Sequence, residues 1–592
     1  MQIKIIVEQY LVLTDYTYMK IYWQILKKYK TSLIISPVLV LITVLCETIQ
    51  PWFMAKIVDD GVVHRNLSVI TEIGAYMVGI SILGLVVSII NVYVSSQASI
   101  GFGTDLRSKL FSKIQQLSFT EIDRFNSASL ITRLTNDITR IQQVALMSMR
   151  LLLRSPLMLV MSFFFVIKIN TDLAFIMLGV VPILSISIFL IMYKGLPLFM
   201  KVQQKIDQLN AVVRENLINI RVVKSFVRED FETKKFEKRS HDLQDMVVNA
   251  SNVVIAIFPV MQLIMNVSVI VILWVGGAKA IEGNLKVGEL ISFVNYMTQI
   301  LMALMFLSMV IVNIARASAS SERILEVMNT EPSLTNTEEG LSNKHKITKG
   351  EVTFSNVFFR YNGGENDVLK DINFHIKQGE TIAVVGATGS AKSSMLQLIP
   401  RLYDVTAGEI LIDGVNVKDY NLEELHAEIG MVLQKNELFT GTIIDNLRWG
   451  RPDATIEEIE EAAKAAQAHD FIMSFTDGYN TLLGRGGINV SGGQKQRICI
   501  ARALLRKPKI LILDDSTSAV DTETEQKIRY NLNNLLKGTT VFIITQRINT
   551  MQSADRVIVL EDGEIDAIGK PDELIEKSKL YQEIYNSQQI VY

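Results

Sequence analysis

A stretch of small and charged residues has the types and spacing needed to bind phosphate groups. It reads GATGSAKS, from Gly386 to Ser393, and it lies between the apolar run Thr381–Val385 and an apolar helical pattern that begins at Met395. A glycine-rich loop between a strand and a helix presents backbone N–H groups to phosphates. Its Lys392 would reach the β- and γ-phosphates of a nucleotide, and the Ser393 hydroxyl would be a ligand of Mg²⁺.

This pattern predicts a P-loop that binds ATP and Mg²⁺. The residues predicted to contact the nucleotide are Gly386, Ala387, Thr388, Gly389, Ser390, Ala391, Lys392, Ser393 and Ser394. The position just before the lysine is usually glycine, but here it is Ala391, so a methyl group lies where the backbone closes on phosphate.

A second stretch supplies carboxylates. In ILILDDSTSAVD, Ile510–Asp521, four apolar residues predict a buried strand that ends in Asp514. This acid would hold Mg²⁺ through water, on the strand beside the P-loop. It is followed directly by a second acid, Asp515, so this stretch offers two carboxylates at one strand end.

The elements around these motifs fall into two classes. Of the 592 residues, 49% are hydrophobic, and all apolar runs long enough to cross a bilayer, which takes about 20 residues as a helix, lie before Arg316. The predicted spans are Leu33–Met54, Ile73–Val94, Val144–Ile167, Leu173–Tyr193, Val253–Gly277 and Leu290–Ala315. After Arg316 the pattern alternates strands and helices, as in a soluble α/β domain.

The spacing of the spans predicts their topology. About fifty polar residues separate the second span from the third and the fourth from the fifth, and they are rich in Lys and Arg. Basic segments favour the cytoplasmic side, which would place both termini there too. The aromatic and basic segment Met19–Lys30 is typical of a helix lying on the membrane surface. We predict a multi-pass protein of the bacterial plasma membrane, in contact with the lipid bilayer.

The predicted domains are a tail with the interfacial helix (1–30), a transmembrane domain (31–328), a linker (329–349) and a nucleotide-binding domain (350–592). A net charge of −2 argues against a general nucleic-acid binder. The two cysteines, Cys46 and Cys499, fall in different domains, so no disulfide framework is expected.

Between the two chemical stretches lies VSGGQKQR, Val490–Arg497, and with it nearly the whole chain from Met19 resembles a half-transporter of the ATP-binding cassette (ABC) exporter type. The resemblance implies a fold with a six-span α-helical transmembrane domain and long cytoplasmic helical extensions, followed by an α/β P-loop nucleotide-binding domain. It also implies that each ATP lies between the P-loop of one nucleotide-binding domain and the signature of another. The signature residues are Ser491, Gly492, Gly493 and Gln494.

Further positions are carried over from the resemblance. Tyr361 matches the aromatic residue on which adenine stacks, and Gln434 matches the glutamine that touches Mg²⁺. The turn Ser518–Asp521 resembles the loop that crosses the dimer interface. In the membrane half, Phe125–Asp137 and Val223–Asp230 resemble the regions whose short coupling helices contact the nucleotide-binding domains.

Three departures from the family pattern fall on one composite site. Active members have a catalytic glutamate where this chain has Asp515, and a switch histidine where it has Gln546. Aspartate is one methylene shorter, and a misplacement of about 1 Å can cost roughly a hundredfold in rate. With Ala391 added, this P-loop predicts a degenerate ATP site, whereas the signature is nearly intact. We therefore predict a heterodimer with a second half-transporter, which is favoured over a homodimer.

The transported substrate is predicted less closely. Glu47 is a carboxylate inside the first span, and an ionisable residue there is a candidate for substrate binding. Its negative charge would favour lipophilic cations. Pliable residues of the last span, Tyr296, Gln299 and Met302, suit small amphipathic compounds such as lipophilic drugs. A lipid, peptide or siderophore transporter of the same fold remains an alternative, as does a mainly regulatory ATP-binding subunit.

Overall fold

A long helix contains each of the six predicted spans. The structure is a computed structural model that describes residues 16–337, 345–516 and 519–589. In that part of the chain, six helices are long and apolar enough to cross a membrane, and we number them spans 1 to 6: Lys20–Val62, Leu67–Gln115, Ser127–Ile169, Thr171–Ile218, Glu229–Ile281 and Val287–Ile311. The first five predicted runs fall within one span each, and the sixth, Leu290–Ala315, extends four residues beyond the end of span 6, so the six-span prediction is confirmed.

The helical segments of the first half are mostly α-helical, with short π-helical interruptions. The α-helices are Tyr16–Leu26, Lys30–Thr48, Gln50–Lys56, Leu67–Gln115, Phe119–Phe125, Ser127–Thr132, Ile138–Met147, Leu153–Ile169, Thr171–Ile218, Ile220–Ser225, Glu229–Ile255, Ile257–Ile281 and Val287–Asn329. The π segments are Ile57–Val62, Arg133–Asp137 and Ser148–Leu152. The predicted interfacial segment Met19–Lys30 is helical, but most of the predicted tail 1–18 lies outside the described residues.

Polar contacts tie spans 1, 3 and 6 together. Nη2 of Arg154 donates to both carboxylate oxygens of Glu47 at 2.7 Å. The amide of Gln299 donates to the Glu47 backbone carbonyl at 3.2 Å, and the Tyr296 hydroxyl donates to the Thr48 carbonyl at 2.8 Å. The carboxylate predicted to attract cationic substrates is therefore already paired with a cation of the same chain.

The chain forms two compact units, which are described separately. The first comprises residues 1–115 and 128–329, and the second comprises residues 330–592 together with Gln116–Ser127. The short segment Gln116–Ser127, between spans 2 and 3, thus belongs to the second unit by its contacts. Part of the predicted linker, residues 338–344, lies outside the described residues.

The second unit is built on two main sheets and a small third one. Its strands are β1 Val352–Phe359, β2 Leu369–Ile376, β3 Thr381–Gly386, β4 Ala407–Ile412, β5 Val415–Asn416, β6 Ile429–Val432, β7 Gly441–Thr442, β8 Leu482–Leu483, β9 Ile510–Asp514, β10 Thr540–Ile544, β11 Arg556–Glu561 and β12 Glu564–Gly569. The sheet orders are β2-β1-β4-β5, β12-β11-β3-β10-β9-β6 and β7-β8.

The α-helices of this unit are Lys392–Leu398, Leu422–Glu428, Ile443–Arg448, Ile456–Ala465, His469–Met473, Gly492–Leu504, Thr522–Leu535, Ile548–Gln552, Pro571–Lys577 and Lys579–Gln589. Apolar side chains from β1, β3, β9 and β10 form its core with the helix after the P-loop; Phe354, Ile382, Ile512 and Phe542 are buried there.

The strand order corrects one expectation. Asp514 was expected on the strand beside the P-loop strand, but β10 lies between β3 and β9 and pairs in parallel with both. Ile544 aligns with Val384 on one side and with Asp514 on the other. Because the carboxyl ends of parallel strands share one edge, the acid still reaches the loop.

The ion pair in the spans gives a testable prediction. Glu47→Gln leaves Arg154 with no carboxylate partner among the described residues, and an unpaired charge inside a span is costly. We expect this single variant to unfold at a lower temperature in nanodiscs than the double variant Glu47→Gln, Arg154→Gln. Since both side chains are about one-third exposed, the effect is modest. Strictly additive losses from the two single variants would contradict the pairing.

Candidate functional site

The predicted P-loop connects β3 to the helix Lys392–Leu398, as the sequence pattern requires. Nζ of Lys392 donates within the loop to the carbonyls of Gly386 at 2.9 Å and Ala387 at 2.7 Å, and to Ser390 Oγ at 3.3 Å. Burial lowers the pKa of Lys392, although the carboxylates of Asp514 and Asp515 oppose this effect. The ammonium is therefore held inside the loop, where phosphate oxygens can replace its carbonyl partners.

Ala391 has a backbone conformation that favours glycine. Its φ of 67° and ψ of 21° place it in the left-handed helical region, where a Cβ atom meets the neighbouring carbonyl at a cost of about 1 kcal/mol. The loop keeps this geometry although its residue is not glycine. The alanine that replaces the usual glycine is thus a strained residue at the start of the P-loop helix.

Two oxygen ligands suited to Mg²⁺ come together at the carboxyl edge of the sheet. The Ser393 hydroxyl donates to Oδ1 of Asp514 at 2.9 Å, and Asp514 is only 2% exposed. Burial raises the pKa of Asp514, with the neighbouring Asp515 adding to the effect and the Ser393 hydrogen bond opposing it. A hydroxyl and a buried carboxylate are hard oxygen donors that fit Mg²⁺ with a bound nucleotide.

The residues at the predicted degenerate positions lie at the same edge. Asp515 has a φ of 46°. Burial raises its pKa, while Arg547 and a hydrogen bond from the side chain of Gln434 oppose that rise. Gln546 is exposed and follows β10 after Thr545. The strand order therefore brings Gln434, Asp514, Asp515 and Gln546 to one edge, the one where the P-loop lies.

The predicted signature forms the amino end of the helix Gly492–Leu504. Ser491 and Gln494 make a capping box, in which the Ser491 N–H donates to Gln494 Oε1 at 2.8 Å and the Gln494 N–H donates to Ser491 Oγ at 3.3 Å. Ser491 and Gly492 are exposed. Ser518, of the turn predicted to cross a dimer interface, lies outside the described residues.

An aromatic cluster connects the predicted adenine-stacking residue to the segment between spans 2 and 3. Tyr361 shares a hydrogen bond of 2.9 Å with Ser394 of the P-loop helix. Its ring packs edge-on against Tyr403 at 5.2 Å, and Tyr403 packs at 6.1 Å against Phe119. The Tyr403 hydroxyl donates to Oδ2 of Asp123 at 2.7 Å. Burial and this carboxylate raise the pKa of Tyr403.

These contacts are made by a short helix that begins before the first region predicted to hold a coupling helix. The short helix in contact with the nucleotide-binding unit is Phe119–Phe125, whereas Phe125–Asp137 was expected to contain it. It begins at Ser118, which forms a capping box with Glu121, and Ser118 Oγ also accepts the Leu334 N–H at 3.0 Å. The second predicted region, Val223–Asp230, overlaps the helix Ile220–Ser225, which has no buried residue.

The predicted substrate residues differ in accessibility. Met302 is 45% exposed, but Tyr296 is fully buried and stacks on Phe165 at 6.0 Å. Direct substrate contact by Tyr296 is therefore an expectation that the structure contradicts, because its ring fills the interior between spans 3 and 6. Gln299 bridges the Glu47 carbonyl and the Ser162 hydroxyl.

Sequence reasoning missed Tyr403 and Asp123. Neither lies in a motif that contacts phosphate, and their pairing joins positions 280 residues apart. The only local sign was the aromatic residue of RLYD, which follows the P-loop helix.

Comparisons with known proteins agree with this geometry. Residues 33–304 match the family model of the ABC transporter transmembrane region, and residues 369–518 match the ABC transporter family model. An uncharacterized ABC transporter ATP-binding protein of Bacillus subtilis, YfiB, is 41% identical over 95% of this chain and 97% of its own length.

Two further similarities concern exporters. A putative multidrug export ATP-binding/permease protein of Bacillus subtilis, YgaD, is 32% identical over 97% of this chain and 99% of its own length. The solved structure of a bacterial Atm1-family ABC exporter with ATP bound superposes with a TM-score of 0.79 at 25% identity, covering 95% of this chain and 98% of that one.

The strain at Ala391 can be tested by removing its Cβ atom. Ala391→Gly should raise the thermal stability of the nucleotide-binding unit by about 0.5–1 kcal/mol, because glycine adopts a positive φ without strain. Ala387→Gly is the matched control: Ala387 lies in the same loop without a positive φ, so its variant should be destabilised. Equal shifts for the two variants, measured by thermal unfolding, would contradict the assignment of strain.

The Tyr403–Asp123 contact predicts a loss of communication in Tyr403→Phe. The ring stays, but the hydrogen bond to a carboxylate, which contributes about 1.5–3 kcal/mol, is lost. We expect ATP to protect residues 116–127 from hydrogen exchange in the wild type and to do so much less in the variant, with ATP affinity unchanged.

Tyr420→Phe is the control for that variant. Tyr420 is buried in the same unit and its hydroxyl donates to the Ile412 carbonyl at 2.8 Å, away from the coupling helix. Exchange in residues 116–127 should respond to ATP normally in this variant. Equal losses in both variants would assign the effect to general destabilisation.

Proposed function

The chain belongs to the ABC transporter family and has the exporter fold, and on this premise we propose that it is one half of a heterodimeric exporter of small amphipathic compounds. In this proposal its P-loop forms a degenerate ATP site that binds nucleotide and hydrolyses it slowly. Its signature completes the competent site of a partner half-transporter. ATP hydrolysis is coupled to transport, as the ATP-binding domain implies.

The observation that carries the proposal is Asp515, which stands where the family has its catalytic glutamate. Its carboxylate is one methylene shorter and its raised pKa reflects burial. The exposed Gln546 at the histidine position has no proton or charge to exchange with the γ-phosphate. A site with both changes can still bind ATP, but it positions the attacking water poorly.

The groups that bind nucleotide support retained ATP binding. Lys392 and the loop N–H groups would hold the β- and γ-phosphates, and Ser393 with Asp514 would hold Mg²⁺, with Gln434 expected at the same ion. Mg²⁺ would neutralise the charge that develops on the phosphates. Tyr361 would stack on adenine. Tyr403, which contacts both Tyr361 and Asp123, would transmit a displacement of the Tyr361 ring to the short helix Phe119–Phe125.

The signature supports the role in the partner's site. The capping box of Ser491 and Gln494 orders the amino end of a 13-residue helix, where N–H groups and the helix dipole favour an anion. Because Ser491 and Gly492 are exposed in this chain, this end is available to a nucleotide held by another P-loop.

The cargo and orientation are also part of the proposal. The relative YgaD is named a putative multidrug export protein, and the exposed Met302 offers an adaptable apolar surface. Both termini and the basic segments between spans would be cytoplasmic, in a bacterial plasma membrane. A mainly regulatory ATP-binding subunit is the second candidate, and the same substitutions at Asp515 and Gln546 favour it.

ATPase measurements on the chain alone and with candidate partners test the heterodimer. We expect the chain alone to be nearly inactive, and the double variant Asp515→Glu, Gln546→His to hydrolyse ATP faster by up to about a hundredfold. In the complex, replacing the partner's catalytic glutamate with glutamine should abolish hydrolysis, whereas the matched change Asp515→Asn in this chain should leave most of it.

Rapid hydrolysis by the chain alone as a homodimer would overturn the degenerate site and the heterodimer. The family assignment would stand in that case. Full hydrolysis in a complex whose vesicles accumulate no cargo would instead favour the regulatory candidate.

A further inference from the structure

Arg150 is a charged residue of span 3 that is held firmly by span 2. Its Nε donates to Ser95 Oγ at 2.7 Å, and its Nη2 donates to the Val92 carbonyl at 2.8 Å and to Ser96 Oγ at 3.1 Å. It lies in the π-helical segment Ser148–Leu152, and such interruptions are frequent at functional sites. All three acceptors are uncharged, so these bonds orient the guanidinium without neutralising it.

The charges nearby do not compensate Arg150. No carboxylate among the described residues hydrogen-bonds or ion-pairs with Arg150. The acid of span 1, Glu47, is engaged by Arg154 through both oxygens. Arg154 is itself neutralised by that pair, and its Nε is buried with no hydrogen-bond partner in the described part of the chain. The group of Arg150, Arg154 and Glu47 therefore carries one net positive charge.

The position of Arg150 indicates what it faces. It precedes the end of span 3 at Ile169 by 19 residues, or roughly 28 Å of helix, which places it near one edge of a hydrocarbon layer of about 30 Å. That edge is the one nearer along the chain to the segment Gln116–Ser127. An uncompensated charge at this depth is costly against lipid chains, so the partly exposed guanidinium must face a water-filled path or a polar headgroup.

The hydrogen bonds leave one face of the guanidinium unused. They occupy Nε and Nη2, and among the described residues Nη1 has no acceptor. The free Nη1 of an oriented, charged guanidinium can donate one charge-assisted hydrogen bond to an oxygen of a carboxylate, phosphate or sulfonate group. The three bonds to span 2 reduce the entropy lost when such a group binds.

We propose that Arg150 is an anion-binding site at the inner mouth of the translocation path, and that the exported amphipathic compounds carry an acidic group. This inference rests on the proposed export of amphipathic compounds and narrows its cargo class. It also reverses the preference for lipophilic cations expected from Glu47, because that carboxylate is neutralised. The acidic group can belong to a soluble cargo or to the headgroup of an anionic lipid, since both present the same chemistry.

The test measures binding of a matched pair of probes to the full-length chain in phosphatidylcholine nanodiscs. The probes are 11-(dansylamino)undecanoic acid and its methyl ester, which differ in the charge of one end. Spans 2 and 3 of a single chain form the site, so the partner is not required. We expect wild type to bind the acid about tenfold more tightly than the ester, as one charge-assisted contact would give.

Arg150→Gln should remove that preference, because it should weaken binding of the acid about tenfold and leave binding of the ester unchanged. Arg150→Lys keeps the charge but not the planar guanidinium that span 2 orients, so it should retain part of the preference. Lys168→Gln is the matched control, because it removes one positive charge from the other end of the same helix, where Lys168 is exposed; the preference should persist.

The outcomes separate this inference from the proposed function. Equal binding of acid and ester in wild type, unchanged in Arg150→Gln, would overturn the anion site but leave amphipathic cargo standing. Failure of wild type to bind either probe would overturn both. If Arg150→Gln weakens the binding of both probes equally and also lowers the unfolding temperature, Arg150 serves only to hold spans 2 and 3 together.

A second arm distinguishes the source of the acidic group. If the lipid headgroup occupies the site, phosphatidylglycerol in the nanodiscs should weaken binding of the acid probe to wild type but not to Arg150→Gln. An acid affinity that is independent of phosphatidylglycerol would assign the site to soluble acids. Both results support the anion site.

Discussion

The hydrogen bond from Tyr403 to Asp123 is the contact that attaches the segment between spans 2 and 3 to the nucleotide-binding unit. It fixes a seven-residue helix, Phe119–Phe125, to the nucleotide-binding unit. That helix joins span 2 to span 3, which are helical over 49 and 43 residues. A long helix moves largely as a rigid body, so a displacement of its end is carried along its length. The short helix is therefore connected along the chain to the ends of two long spans.

The Tyr403 ring also packs against Tyr361, the residue proposed to stack on adenine. Tyr361, Tyr403 and Phe119 form a packed row of rings, and packed side chains transmit displacement because the interior is dense. None of these residues takes part in bond breaking. If the site is degenerate as proposed, this row of rings would still transmit the effect of adenine binding without rapid ATP hydrolysis.

Local motifs and the bilayer explain how much the sequence could predict. The six spans were found because a fixed membrane thickness imposes an apolar length, and the P-loop because phosphate binding needs contiguous residues. The short helix Phe119–Phe125 begins several residues before the region predicted to contain a coupling helix, since a seven-residue helix shows little periodicity. The position of β10 between β3 and β9 and the pairing of Tyr403 with Asp123 depend on the tertiary crossovers, which no local pattern encodes.

The charged residues inside the spans show why the charge of a cargo cannot be inferred from residue types without their partners in the fold. Read in sequence, Glu47 is an isolated carboxylate that suggests a cationic cargo. In the fold, Arg154 donates hydrogen bonds to both carboxylate oxygens of Glu47. A further arginine, Arg150, donates hydrogen bonds only to neutral acceptors. Because the cost of a charge in a bilayer depends on its partners, the proposed cargo class follows the net sign of this group of charges and not Glu47 alone. That sign is positive, although the first span on its own suggested the opposite.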